Sequence, residues 1–145
     1  MYKRILLAYD GSASGQKALL DSGEIAQWTK AELFLIAVMP PSAIPLASED
    51  WVYQPEGDAA EKREHQAVLD SGLRRLSEAG LSARGELLSG NSVDEIVRYA
   101  EKIGADLIIV GHKHLDSWAE RWWKGSISKA LIEHSPCSVL VAITN

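Results

Sequence analysis

The groups with most chemistry to offer lie between Leu107 and Leu131, LIIVGHKHLDSWAERWWKGSISKAL. An apolar run ends at Gly111, a loop with His112, Lys113, His114, Arg121 and Lys124 follows, and a helical pattern resumes behind Gly125-Ser126. Small residues let a backbone approach a ligand, and the free N–H groups at a helix start, here Gly125, Ser126 and Ile127, point at negative charge. The hydroxyls of Ser126 and Ser128 add donors. The chemistry implied is capture of an anion, a phosphate above all. A second set, Ala8, Asp10, Gly11 and Ser12, closes the first apolar run, and Val38 closes the second. Asp10 can accept hydrogen bonds from ribose hydroxyls or an adenine amino group, and the backbone of Val38 can read an adenine edge. Each has a plainer use as well. Asp10 can close a turn, Ser126 can cap a helix, and His112 with His114 has the spacing of a metal pair without a third ligand in sequence. No metal is assigned.

These groups need elements to position them. Lys3–Tyr9 (KRILLAY) is a short apolar run stopped by Asp10-Gly11-Ser12, which reads as a buried strand. A helix capped by Ser12 or Ser14 follows, with Ala18, Leu19, Ser22, Ile25 and Ala26 on one face. Glu32–Val38 is a second strand, ended by Met39-Pro40-Pro41. The segment Pro40–Gly57, with Trp51 and Tyr53, is long and irregular, and is expected to form a lid or contact loop. A helix charged from Glu61 to Glu64 and apolar at Leu69, Leu73 and Leu76 closes at Gly80; His65 makes no special claim. Leu81–Leu88 alternates weakly, as an edge strand does. Ser92-Val93-Asp94-Glu95 is a capping box, the stripe Val93, Ile96, Val97, Ala100, Ile103 makes a third helix, and Gly104 stops it. Asp106–Val110 is a fourth strand, Ile127, Ala130 and Leu131 mark a short fourth helix, and Ser138–Ile143 is the last strand.

Five strands alternating with four helices predict a doubly wound, Rossmann-like α/β fold with a parallel sheet in the order 3-2-1-4-5. Ligands of such sheets bind beyond the carboxyl ends of the strands, where strand order reverses. That reversal places Asp10–Ser12 beside Gly111, with Val38 on the same crevice.

The whole chain sets the bounds. Its 145 residues suit one domain, expected over 1–145, and its 46% apolar content includes no run long enough to span a membrane. The net charge of −5 argues against general nucleic-acid affinity. A single cysteine, Cys137, and the lack of a secretory leader pattern are consistent with a cytoplasmic protein.

The opening ILLAYDGS, the late strand into Gly111, the Gly125-Ser126 pair and the closing SPCSVLVA resemble the universal stress protein family over nearly the full length. The resemblance implies the doubly wound fold, a homodimer paired partly through the last strand and, in one branch of the family, ATP held by Gly-x-x-Gly, nine residues, then Gly-Ser/Thr, with magnesium alongside it. By that pattern Asp10 and Val38 meet base and ribose, with Ala8, Gly11 and Ser12 on the same rim. Gly111, Gly125, Ser126 and Ile127 meet the phosphates; His112, His114 and Ser128 are further candidate binding residues beside them. The chain departs from the pattern at one place: His114 stands where the second glycine belongs, and ten residues separate it from Gly125.

Two functional classes follow. One is a dimeric regulatory module binding ATP or a related adenine nucleotide. The other is a nucleotide-free interaction protein of the same fold, meeting a protein partner through the loop of Trp118, Trp122 and Trp123, residues that equally suit core packing or a base-stacking lid. No Walker loop, nucleophile–base pair or carboxylate cluster for magnesium near Gly125 is present, so no catalytic residue is assigned, and any ATP hydrolysis would be slow.

Overall fold

The computed structural model describes residues 1–40, 55–113 and 127–144. Residues 41–54 of the lid expected over Pro40–Gly57, and the loop of His114, Trp118, Arg121, Trp122, Trp123, Lys124, Gly125 and Ser126, lie outside them. The elements are β1 (Arg4–Ala8), α1 (Ala13–Thr29), β2 (Glu32–Met39), α2 (Pro55–Glu78), β3 (Ala83–Ser89), α3 (Ser92–Ile103), β4 (Leu107–Lys113), α4 (Ile127–His134) and β5 (Ser138–Thr144). The five strands are parallel in the order β3-β2-β1-β4-β5. This is the doubly wound sheet read from the sequence.

The three inner strands are buried on both faces, which is why their sequences are unbroken apolar runs rather than alternations. Successive side chains point to opposite faces, so Leu7, Leu35 and Ile109 join the layer under α1 and α2, while Leu6, Ile36 and Ile108 join the layer under α3 and α4. All six are fully buried. Truncating any one to alanine would cost about 2–5 kcal/mol. α1 buries the small residues Ala18, Ser22 and Ala26, and the helix packs on β4 and β5.

Several boundaries differ from the sequence reading. β4 continues through Gly111 and His112 to Lys113, because β5 pairs with it along its whole length, ending at Lys113↔Thr144. Asp106 precedes the strand, and its carboxylate accepts from the Lys3 and Arg4 amides at 2.8 and 3.1 Å, fastening the start of β4 to β1. α2 begins at Pro55, inside the stretch expected to be irregular, consistent with proline's preference for a first helical turn. The α3 cap is Asn91 rather than Ser92: its side chain accepts from the Asp94 amide at 3.2 Å. At α1 the cap is Ser12, not Ser14, with its hydroxyl accepting from the Gly15 amide at 3.0 Å.

Candidate functional site

The carboxyl ends of β1, β2 and β4 converge on a crevice of about 320 Å³. Its floor is Ala8, Tyr9 and Asp10 from β1 and the turn after it, Ala37 and Val38 from β2, and Val110 and Gly111 from β4. The starts of α3 and α4 close it with Ser92, Ile96 and Ile127, and the first half of α2 overhangs it with Glu61, Glu64, His65 and Val68. The volume falls within the range of small-molecule sites, at the low end.

Asp10 organises the turn out of β1. Its Oδ1 accepts from the Ser12 amide at 3.0 Å and the Ser12 hydroxyl at 2.6 Å. Ser12 in turn caps α1, so one carboxylate oxygen holds the helix start in place. The plainer reading of Asp10 is therefore satisfied by Oδ1, while Oδ2 has no partner among the described residues. Gly11 lies between them at φ +80°, a conformation that side chains with a Cβ disfavour. Gly11 and Ser12 belong to the turn and do not line the crevice.

Gly111 is needed for a reason the sequence did not show. A Cβ there would lie 2.3 Å from the Ser14 carbonyl oxygen and 2.6 Å from the Gly15 amide nitrogen. The close approach it permits is that of the first turn of α1 against the end of β4. Gly15 plays the matching part, since a Cβ there would fall 2.6 Å from Asp10 Oδ1. The two glycines let Asp10, the α1 start and β4 nest together.

Of the residues singled out from the sequence, Ala8, Asp10, Val38, Gly111 and Ile127 come together around the crevice. Ser128 is buried and His112 lies on β4 in register with Ile143, both outside the lining. His114, Gly125 and Ser126 lie outside the described residues. The α2 wall was missed. Its signal was available: Glu61, Glu64, His65 and Val68 follow i, i+3, i+4, i+7, the same stripe that continues into the buried Leu69 and Leu76. Where that stripe turns polar, the helix has passed the sheet and covers the crevice.

The described lining is rich in acceptors. It carries the carboxylates of Asp10, Glu61 and Glu64 and the imidazole of His65, and no lysine or arginine among the described residues. Apolar surface from Val38, Val68, Ile96 and Val110 surrounds them. Such a site can bury a flat apolar ring system and accept hydrogen bonds from its amino and hydroxyl groups. No group of three His, Cys, Asp or Glu side chains among the described residues is placed to hold a metal ion. The groups whose titration the fold moves line other places: burial pushes the Tyr99 hydroxyl up, helped by the negative charge of Glu86, and burial pushes the Cys137 thiol up. Among the described residues no helix is long and apolar enough to cross a membrane.

A doubly wound parallel sheet with an acceptor-lined crevice at its switch point defines an α/β protein of the Rossmann-like class. The chain belongs to the universal stress protein family, which residues 1–142 match. It is 29% identical over 147 residues to universal stress protein YxiE of Bacillus subtilis, covering 97% of this chain and 99% of the relative. Against universal stress protein MJ0531 of Methanocaldococcus jannaschii the identity is 33% over 143 residues, 97% of this chain and 82% of the relative. A crystal structure of a family member from Burkholderia pseudomallei superposes with a TM-score of 0.74 at 27% identity, covering 97% of this chain and 95% of that one. A universal stress protein in complex with cAMP superposes with a TM-score of 0.74 at 24% identity, covering 99% and 98%. A family protein from Arabidopsis thaliana with AMP bound gives 0.68 at 16%, covering 99% and 92%. These last two share the fold with this chain.

Proposed function

We propose that the chain is a regulatory universal stress protein whose crevice binds an adenine nucleotide, ATP or a shorter relative, with magnesium accompanying the polyphosphate. One observation carries the reading: the fold draws Asp10, Val38, Gly111 and Ile127 to a single crevice of about 320 Å³, with Asp10 Oδ2 left unpartnered among the described residues. In this reading the base lies against Val38 and the apolar surface of Ile96 and Val68, and Asp10 Oδ2 accepts from the ribose. The phosphates leave toward Gly111 and the start of α4, where Ile127 lines the crevice. The relatives with cAMP and AMP support adenine as the base. The protein acts in the cytoplasm as a switch, and no catalytic group is assigned.

The functional unit is a homodimer joined partly through β5. That strand is a sheet edge, with partly buried Val139 and Val141 and an exposed Ile143, and Ile132 of the adjacent α4 is exposed as well. An open edge with apolar side chains is a template for pairing.

A second reading, a nucleotide-free protein acting through a partner at the Trp118–Trp123 loop, is favoured by the substitution of His114 for glycine and the longer spacing to Gly125. The test is to denature freshly purified protein, identify any released nucleotide by chromatography, and titrate the emptied protein with AMP and with ATP and magnesium. Released adenine nucleotide or saturable binding supports the first reading. No nucleotide and no binding supports the second.

A further inference from the structure

The α2 wall carries a group that the family pattern of the sequence does not assign. His65 is half-buried and lines the crevice, and its Nδ1 lies 2.9 Å from the carbonyl oxygen of Glu61, one helical turn earlier. A carbonyl oxygen can only accept, so Nδ1 is the nitrogen that carries the proton. In the neutral ring the other nitrogen, Nε2, is then left with its lone pair. The hydrogen bond also fixes the ring's orientation against α2, so this acceptor has a defined place.

Its surroundings match one kind of ligand. Val68 one turn further on, and Val38 and Ile96 from other elements, give the crevice the apolar surface that suits a planar base. The carboxylates of the described lining, Asp10, Glu61 and Glu64, are acceptors too. A base presenting an amino group to this wall finds partners, whereas one presenting a carbonyl oxygen meets lone pairs.

We infer that His65 is a specificity-determining residue, whose Nε2 accepts a hydrogen bond from the exocyclic amine of a 6-aminopurine and disfavours a 6-oxopurine. This rests on the reading of the crevice as a nucleotide site and adds to it the means of choosing the base. AMP and IMP form the natural probe pair, because they differ in donor and acceptor character at position 6 and its neighbouring ring nitrogen, while ribose and phosphate are the same.

The experiment is a calorimetric titration of AMP and of IMP into wild-type protein, His65→Ala and His65→Gln, with circular dichroism establishing that each variant is folded. Wild type is expected to prefer AMP by about tenfold, the scale of one net hydrogen bond in a half-buried site. His65→Ala should weaken AMP and leave IMP nearly unchanged, bringing the ratio close to one. Loss of packing alone would weaken both ligands alike and leave the ratio in place. Glutamine, whose amide presents either an oxygen or an NH2, should recover AMP affinity and also admit IMP. An unchanged AMP-to-IMP ratio in His65→Ala, or equal binding of both by wild type, would overturn the role of His65 while leaving the nucleotide site standing. Failure of wild type to bind either ligand would overturn the nucleotide reading and this inference together.

Discussion

Gly111→Ala tests how the crevice is built. The new Cβ would lie 2.3 Å from the Ser14 carbonyl oxygen, 2.4 Å from its carbonyl carbon and 2.6 Å from the Gly15 nitrogen, each well inside ordinary contact. All three obstacles are backbone of the first turn of α1, so no rotamer change relieves the overlap. Either β4 or α1 must shift, by about 1 Å to restore normal separation. Overpacking of this kind costs about 1–3 kcal/mol, and rigid obstacles place it at the upper end, roughly a 10 °C fall in Tm for a chain of this size. Gly80→Ala is the control: Gly80 has φ +80° but nothing within 4 Å, so only backbone strain of about 1 kcal/mol is introduced. Urea denaturation of the three proteins, followed by circular dichroism, measures both effects. Because Asp10 and Ser12 travel with the start of α1, Gly111→Ala should also weaken AMP binding, which Gly80→Ala should not. If Gly111→Ala is no less stable than Gly80→Ala, the close packing of β4 on α1 is not what requires glycine there.

Other expectations follow from the same geometry. Ser12→Ala removes the α1 cap and a partner of Asp10, and should cost about 1 kcal/mol in urea denaturation. Asp10→Ala should cost a similar amount of stability yet weaken nucleotide binding more than Ser12→Ala does, since only Asp10 offers a spare oxygen to the ligand; equal effects on binding would count against that role. Ile143→Lys combined with Ile132→Lys should convert dimers to monomers in sedimentation velocity, and an unchanged mass would remove β5 from the interface. Tyr99 gives an alkaline signature. Burial first, and then Glu86 by its charge and hydrogen bond, raise the hydroxyl above its ordinary value of 10.0. The folded state thus keeps a proton that the unfolded state loses, so this stability is fully present below the ordinary value and is lost as pH rises through the raised one. Wild type should accordingly lose more stability than Tyr99→Phe as pH rises above 10.0, and parallel losses would contradict the assignment.

Much of the fold was legible because the inner strands are covered on both faces and therefore spell themselves as apolar runs. The strand order followed from the alternation of elements and the handedness of crossovers. Boundaries were less legible, because they depend on partners distant in sequence. Nothing local to Gly111 and His112 says strand; their extension comes from pairing with β5. Asn91 takes the cap of α3 beside an equally plausible Ser92, a choice settled by backbone geometry rather than residue type. In the crevice, Asp10 and Val38 were readable as residues ending buried strands at a switch point. Glu61, Glu64 and His65 were passed over because a charged stretch of helix normally faces water. Their position over the crevice arises from the length of α2 relative to the sheet, a tertiary property. Gly111 lines the crevice, and the contact that makes glycine necessary there, with Ser14 and Gly15 of α1, is a tertiary one that the local sequence does not show.

In the proposed function the carboxyl ends of β1, β2 and β4, with the first half of α2, form an adenine-nucleotide site. Titration of isotope-labelled protein with AMP, followed by amide chemical shifts, tests it most directly. Saturable shifts concentrated at Ala8 to Ser12, Val38, Glu61 to Val68, Gly111 and Ile127, and reduced in Asp10→Ala, are the result expected. Saturable shifts concentrated elsewhere, or none at millimolar AMP, would rule out a nucleotide site in this crevice.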